Sequence, residues 1–186
     1  MSKPVNPTKV VTGLCTFSYL NCWEPKAIKG GKPKFSVSLV IPKSNIKTVE
    51  RICAAIQAAY EEGASKLKGS GKSVPPLSTI HNPLRDGDID RPNDDAYKGC
   101  WFINANSDTA PGIVDADRQS ILTRSEMYSG VKGRASINLY AYNVNGNRGI
   151  ACGLNHLQKL ADGTPLGSKS RAEDDFAIDD DEDFLD

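Results

Sequence analysis

The sequence lacks a long apolar run. A membrane-spanning helix needs about 20 consecutive apolar residues, and no segment of the 186 residues approaches that length. The first ten residues, MSKPVNPTKV, contain no hydrophobic signal core. We therefore expect an intracellular protein without a membrane partner.

Cysteine and histidine are too scarce for the common disulfide, zinc and triad architectures. The five cysteines are widely spaced and form no Cys-x-x-Cys pair, so neither a zinc site nor a disulfide framework is expected. The two histidines, His81 and His156, have no Ser, Cys or Asp partner at a spacing that indicates a catalytic triad. The sequence thus predicts neither triad chemistry nor a cofactor.

Two segments resemble catalytic motifs without matching them. Residues 69–73 (GSGKS) end like a phosphate-binding loop, but Lys66 occupies the position of that motif's first glycine. The carboxylates Asp86, Asp88 and Asp108 are candidate ligands for a divalent cation in a nuclease or resolvase. For the first two, a solvated loop in which Asp and Gly supply turn chemistry is the favoured explanation. We therefore expect no metal and no enzyme, and keep the metal-dependent nuclease or resolvase as an alternative.

The formal net charge of the chain is zero, because 23 Lys and Arg residues balance 23 Asp and Glu residues. The charges are nevertheless separated along the chain: residues 172–186 contain nine carboxylates and no Lys or Arg, which leaves 23 basic against 14 acidic residues elsewhere. A basic body indicates an anionic partner, and a terminal block of like charge is typical of an unfolded interaction tail. A role of both as solubility devices stays open.

Hydrophobic periodicity predicts a protein that is mainly β with one long helix. Apolar residues recur at helical spacing from the N-cap Ser44 to Gly69, which corresponds to about six turns. Residues 69–98 contain four prolines and no sustained period, so we expect a long loop. Alternation predicts strands at residues 9–20, 34–41, 99–105, 112–115, 131–144 and 149–154.

This element order favours an OB-fold-like, five-stranded antiparallel barrel with long loops, a fold whose strand face and loops bind oligonucleotides or oligosaccharides. The predicted domain covers residues 1–160. A polar Gly/Ser/Pro segment at residues 161–171 reads as a flexible linker, and residues 172–186 form the acidic C-terminal tail, which we expect to be disordered.

Basic and aromatic residues occur together along the predicted domain. Lys and Arg bind the phosphates of single-stranded nucleic acid, while bases stack on flat side chains in a way that tolerates any sequence. Tyr140 and Tyr142 are the strongest stacking candidates, because their strand face is otherwise polar. The predicted DNA-binding residues are Tyr19, Trp23, Lys26, Lys29, Lys32, Lys34, Tyr97, Trp101, Lys132, Arg134, Tyr140, Tyr142 and Arg148.

Apolar residues interrupt the acidic tail, with Phe184 near its end. Fifteen extended residues span about 50 Å, more than the ~15 Å radius of gyration of a domain of this size. The tail can therefore reach its own basic groove and compete with DNA, or be offered to partner proteins. Its predicted partner-binding residues are Asp179, Asp180, Asp181, Glu182, Asp183 and Phe184.

Seven long segments of the sequence together match one known family: FSYLNCWEP (17–25), PKFSVSLVIPKS (33–44), LRDGD (84–88), RPNDDAYKGCWFINANS (91–107), PGIVD (111–115), GNRGIACGLNHLQKLADGTPLG (146–167) and DDDEDFLD (179–186). In these segments the chain resembles the OB-fold single-stranded DNA-binding proteins of bacteriophages, a family long catalogued as a domain of unknown function. It departs from tails that end on the aromatic residue itself, because Leu185 and Asp186 follow Phe184.

The resemblance implies a non-enzymatic coat for single-stranded DNA in phage replication and recombination, in the cytoplasm of the infected bacterial host. It also implies that the tail recruits phage or host replication proteins and restrains non-productive binding. A protein-only adaptor remains a further alternative, and assembly as a homodimer or cooperatively along DNA stays open.

Overall fold

The computed structural model describes residues 6–27 and 30–166. Three helices, α1 (Ile46–Glu62), α2 (Ala64–Lys68) and α3 (Gly87–Asp90), accompany three short 3-10 turns at Leu77–Thr79, Asp95–Tyr97 and Arg124–Glu126. The eight strands are β1 (Lys9–Val11), β2 (Cys15–Lys26), β3 (Lys34–Pro42), β4 (Leu84–Asp86), β5 (Cys100–Ser107), β6 (Gly112–Val114), β7 (Lys132–Val144) and β8 (Asn147–Ala161). No described helix is both long and apolar enough to cross a membrane.

Five of the strands close into a barrel in the order β7-β2-β3-β5-β8 and back to β7. The ring closes because β7 pairs antiparallel with β2 at one end and with β8 along its whole length. β5 and β8 run parallel, as do β6 and β8. The predicted five-stranded OB-type barrel is confirmed, with these parallel pairings added to the expected antiparallel ones.

A short strand inside the segment predicted as loop helps to close the barrel. Among the described residues, β5 and β8 share a single registered pair, Asn106 opposite Gly153. β4 pairs with β5, and the His81 backbone forms hydrogen bonds of 3.1 and 3.0 Å to β8. Residues 81–86 therefore line the seam between β5 and β8. A strand of three residues is too short to show an alternating pattern, which is why the sequence did not predict it.

The single predicted helix is two helices. α1 begins after Asn45 rather than Ser44, since the Asn45 side chain accepts the Thr48 N–H. It ends at Gly63, where a Cβ would lie 2.2 Å from the Cβ of Ala141 on β7. The helix therefore meets the barrel so closely that only glycine fits at the break. The apolar face of α1 packs on the core through Ile52, Ala55, Ile56 and Ala59.

Tyr97, predicted to bind DNA, belongs to a small second core instead. Its side chain is fully buried. The ring meets Phe102 edge-on, with centroids 5.0 Å apart, and its hydroxyl lies 2.9 Å from the Ser38 hydroxyl oxygen. The turn at Asp95–Tyr97 folds this residue over the outer face of β3 and β5, so its ring offers no free surface to a base.

The first residues of the predicted linker pack against the barrel. The Tyr128 hydroxyl lies 3.0 Å from the Asp162 carboxylate and accepts the Gly163 N–H at 3.3 Å. The Leu166 N–H donates to the Ser129 carbonyl at 2.8 Å. Residues 162–166 thus contact the barrel, whereas the rest of the predicted linker and the acidic tail lie outside the described residues.

The buried position of Tyr97 predicts a stability effect. Tyr97→Ala should lower the free energy of unfolding by about 3–5 kcal/mol, because it leaves a cavity the size of an aromatic ring. Tyr97→Phe should cost about 1–2 kcal/mol, because the buried Ser38 hydroxyl loses its partner. Urea denaturation measures both. A Tyr97→Phe protein with unchanged stability and weakened DNA binding would contradict this assignment.

Candidate nucleic-acid interface

A groove of about 470 Å³ crosses the outer face of the barrel over β2, β3 and β5. Small polar side chains form its floor, where Ser36 stands opposite Asn106 and Ser38 opposite Asn104. The charged and aromatic residues that line it are Tyr19, Lys26, Lys32, Lys34 and Arg91. The floor therefore consists of small, uncharged side chains, and cationic side chains lie along its border.

A second hollow of about 480 Å³ continues the groove over β8 and β7. Lys34, Asn104 and Asn106 line both hollows, so the two form one surface, which we call the groove. From β2 to β7 the groove crosses four strand spacings, or about 19 Å at ~4.8 Å each. Its second half adds Arg85, Tyr140 and Tyr142.

Tyr19 stands at one end of the groove because β2 bulges there. The register with β3 shifts between Ser18 and Asn21, and Tyr19 adopts a left-handed backbone with φ 46°. The bulge leaves its side chain 54% exposed. The Arg91 guanidinium lies 5.1 Å from the ring centroid and donates to the phenol oxygen at 3.3 Å. The strained backbone thus presents a flat ring already paired with a cation.

Tyr140 and Tyr142 stand at the other end, on the outer face of β7. Their neighbours across the strand pair are Ala151 and Gly149 of β8, residues too small to cover the rings. Tyr140 is 43% exposed. Burial raises the pKa of its phenol, and nearby Cys152, Asp108 and Tyr142 raise it further. The ring therefore stays neutral at physiological pH and carries no charge that would repel a phosphate.

The two predicted tryptophans lie away from the groove. Trp23 is half-buried, and its indole N–H donates to the Arg124 carbonyl at 3.1 Å. Trp101 sits near the opposite end of β5 from Asn106, with the Lys43 ammonium 5.2 Å from its ring. Neither side chain lines the groove. Their aromatic character indicated stacking, but their positions along the strands place them elsewhere.

Three further predicted cations also lie outside the groove. Lys132 and Arg134 are at the start of β7, where Arg134 Nε donates to the Thr12 carbonyl at 3.0 Å. Arg148 lies near the β7–β8 turn, and its Nε is buried without a hydrogen-bond partner among the described residues. Lys29 lies outside the described residues. The structure thus brings together Tyr19, Lys26, Lys32, Lys34, Tyr140 and Tyr142.

The polar floor was missed at the sequence level. Asn104 and Asn106 alternate with the buried Ile103 and Ala105 on β5. That alternation is the sequence signal for the floor, but neutral amides lack the charge and the aromatic ring that mark a nucleic-acid contact in a sequence.

The carboxylates of the nuclease hypothesis do not assemble. Asp86 and Asp88 both bind the Lys43 ammonium, at 2.8 and 2.9 Å. The Gly99 N–H and then Lys43 lower the pKa of Asp88. Asp108 follows the far end of β5, about 23 Å away along the strand, and pairs with Lys32 at 3.6 Å. The described part of the chain contains no group of three or more His, Cys, Asp or Glu that could hold a metal. The structure therefore does not bring together the three carboxylates that the nuclease hypothesis requires.

A family model described as the ssDNA-binding protein of Enterobacter phage Enc34 matches residues 8–185. The chain belongs to this family. The match confirms the predicted family and, with it, non-enzymatic binding of single-stranded DNA. No curated protein matches the chain.

Solved structures agree on the fold. The single-stranded DNA-binding protein from bacteriophage Enc34 in complex with ssDNA is 23% identical, with a TM-score of 0.70 over 86% of this chain and 90% of that chain. Gp2.5, a single-stranded DNA-binding protein encoded by bacteriophage T7, is 16% identical, with a TM-score of 0.60 over 94% and 96%. At these identities the likeness establishes the barrel fold alone and assigns no DNA-contacting residue.

The strained backbone at Tyr19 predicts that two substitutions of this residue will differ in stability but not in DNA binding. Tyr19→Gly and Tyr19→Ala both remove the ring, but only glycine adopts a φ of 46° without a steric penalty. Tyr19→Gly should therefore be about 1 kcal/mol more stable than Tyr19→Ala and should bind DNA equally weakly. Chemical denaturation and binding titrations check both. A less stable glycine variant would show that the backbone here is unstrained.

Proposed function

We propose that the protein coats single-stranded DNA through the groove, without preference for sequence. The observation that carries this proposal is the arrangement of exposed tyrosines at both ends of one groove, with Lys26, Lys32, Lys34 and Arg91 along its border. Bases stack on the rings, and the cations bind the phosphates between them. Stacking tolerates every base, which gives binding without sequence preference.

The same geometry selects single strands over duplex. In a duplex both faces of each base are covered by neighbouring bases, so a ring cannot stack on a base without first unstacking it from its neighbours. The amides and hydroxyls on the floor supply both donors and acceptors, and therefore suit any exposed base edge. Selectivity thus follows from access to base faces rather than from total charge.

The acidic tail, residues 172–186, is proposed to compete with DNA for the groove. The last described residue, Leu166, lines a hollow together with Tyr19 and Arg91, so the chain leaves the barrel at the groove's end. Nine carboxylates follow within the next 20 residues. A tethered polyanion at this position has a high effective concentration at the cations.

We further propose that the tail, through Asp179–Phe184, recruits phage or host replication proteins. Acidic residues around one aromatic anchor suit a basic partner with an apolar pocket. The protein would then act in phage DNA replication and recombination, in the cytoplasm of the infected host. DNA that occupies the groove would release the tail to such partners.

Removal of one groove ring tests the DNA site. Tyr140→Ala should weaken binding of an oligothymidylate by about 5- to 150-fold, the factor that corresponds to ~1–3 kcal/mol per stacked base. Tyr140→Phe is the matched control, because it keeps the ring and should bind like the wild type. Fluorescence anisotropy at fixed salt measures both. Equal binding by all three proteins would remove Tyr140 from the interface.

Removal of residues 172–186 tests the tail. The truncated protein should bind single-stranded DNA more tightly at low salt, because the competing polyanion is gone, and the difference should shrink as salt screens the tail. A full-length variant with Asn and Gln in place of the tail's Asp and Glu should behave like the truncation. Equal affinities of truncated and intact protein at low salt would contradict the competition.

A further inference from the structure

We propose that single-stranded DNA leaving the groove past Tyr140 continues along the outer face of β7 to a second phosphate-binding site formed by Lys9, Arg118 and Arg134. This inference rests on the proposed groove and extends it. We call the surface between Tyr140 and Arg134, with these three cations, the β7 track.

β7 is longer than the groove is wide, so half of its outer face lies beyond the groove. After Tyr142 and Tyr140, the outward residues are Asn138, Ser136 and Arg134, while Ala135, Ile137 and Leu139 between them are buried. Arg134 lies six positions before Tyr140, which corresponds to about 20 Å along the strand. This stripe contains no carboxylate and no large aliphatic side chain, which makes it a polar path that begins at a stacking ring.

Lys9 lies beside the middle of this path. β1 pairs with β7 so that Lys9 stands opposite Asn138 and Val11 opposite Ser136. Val10 between them is 4% exposed and packs into the core, so Lys9 is on the outer face with Asn138. An exposed ammonium therefore flanks the strand where the nearest β7 side chain is a neutral amide.

The far end of the track is a hollow of about 240 Å³ lined by Arg118, Arg134, His156 and Ser136 among others, and none of the described residues in its lining is a carboxylate. Hydrogen bonding of Arg134 Nε to the Thr12 carbonyl fixes the orientation of that guanidinium. His156 Nδ1 accepts the Gly112 N–H at 3.2 Å. In the neutral ring the proton is then on Nε2, which makes that atom a donor.

Arg118 lies in a tight turn next to this hollow. The Asp115 carboxylate accepts the N–H groups of Asp117 and Gln119, each at 2.9 Å, and Arg118 between them has a φ of 65°. The Asp115 carboxylate is thus engaged by the backbone. From this turn, Arg118 lines the hollow.

The cations of the track differ from several others on this surface. Lys32, Lys43, Arg85, Arg124 and Lys159 each pair with a carboxylate. Among the described residues, Lys9, Arg118 and Arg134 have no such ion pair within 4.0 Å. Three cations that form no ion pair within 4.0 Å among the described residues, along a path that continues from a stacking site, fit the phosphates of one strand better than a compact anion.

Oligonucleotide length separates the track from the groove. We would compare an oligothymidylate that spans the groove alone, about 19 Å, with one about twice as long. The test variant is Lys9→Ala with Arg118→Ala, and the matched control is Lys47→Ala with Arg51→Ala, two exposed cations on α1. Affinity is measured over a range of salt concentrations with full-length protein.

The test variant should bind the long oligonucleotide about 25-fold more weakly at 0.1 M salt, and its slope of log K against log[salt] should fall by about 1.4, at ~0.7 per phosphate contact. Its affinity for the short oligonucleotide should equal that of the wild type, which also shows that the variant is folded. The control should match the wild type at both lengths.

Two results would overturn the track while leaving the groove intact. Unchanged binding of the long oligonucleotide would mean that DNA does not follow β7. An equal loss at both lengths would mean that Lys9 and Arg118 act only by long-range attraction toward the groove. Failure of the wild type to bind either oligonucleotide would contradict the groove itself and the track with it.

Discussion

The structure depends on the antiparallel pairing of β7, which closes the barrel. Its 13 residues pair with β1, β2 and β8, and its alternation sends Ile137 and Leu139 into the core while Tyr140 faces outward. The same hydrogen bonds that close the ring therefore fix the tyrosine ring relative to the polar floor on β3 and β5. A shift of one residue would bury the tyrosines and expose the core. The register of β7 therefore determines both which residues form the core and which form the binding surface.

The strongly alternating parts of the fold were predictable from sequence. β3 and β7 appear where the pattern indicated, and the buried residues of β7 are the expected ones. Features decided by tertiary contact were not predictable. The helix breaks at Gly63 because Ala141 approaches it, and β4 exists because β5 offers an edge at the seam. Local patterns carry no information about either contact.

The candidate site shows the same division. Residue type indicated a surface of rings and cations, but only the fold decides which of these residues lie together. Tyr97 has the same side chain as Tyr140, yet a 3-10 turn places it beneath the surface rather than on it. Tyr19 faces the groove only because of a bulge in β2. Arg134 shares a strand face with Tyr140, as predicted. The two residues are six positions apart, however, which places them about 20 Å from each other along the strand.

The most direct test of the account is photo-cross-linking of the full-length protein to an oligonucleotide that carries 5-iododeoxyuridine, followed by mass spectrometry of the attached peptides. The base must lie against an aromatic ring to react efficiently, so the adducts report which rings stack. We predict adducts at Tyr19, Tyr140 and Tyr142. Adducts concentrated at Trp23 or Trp101, with none on the three tyrosines, would contradict the groove as the DNA-binding surface.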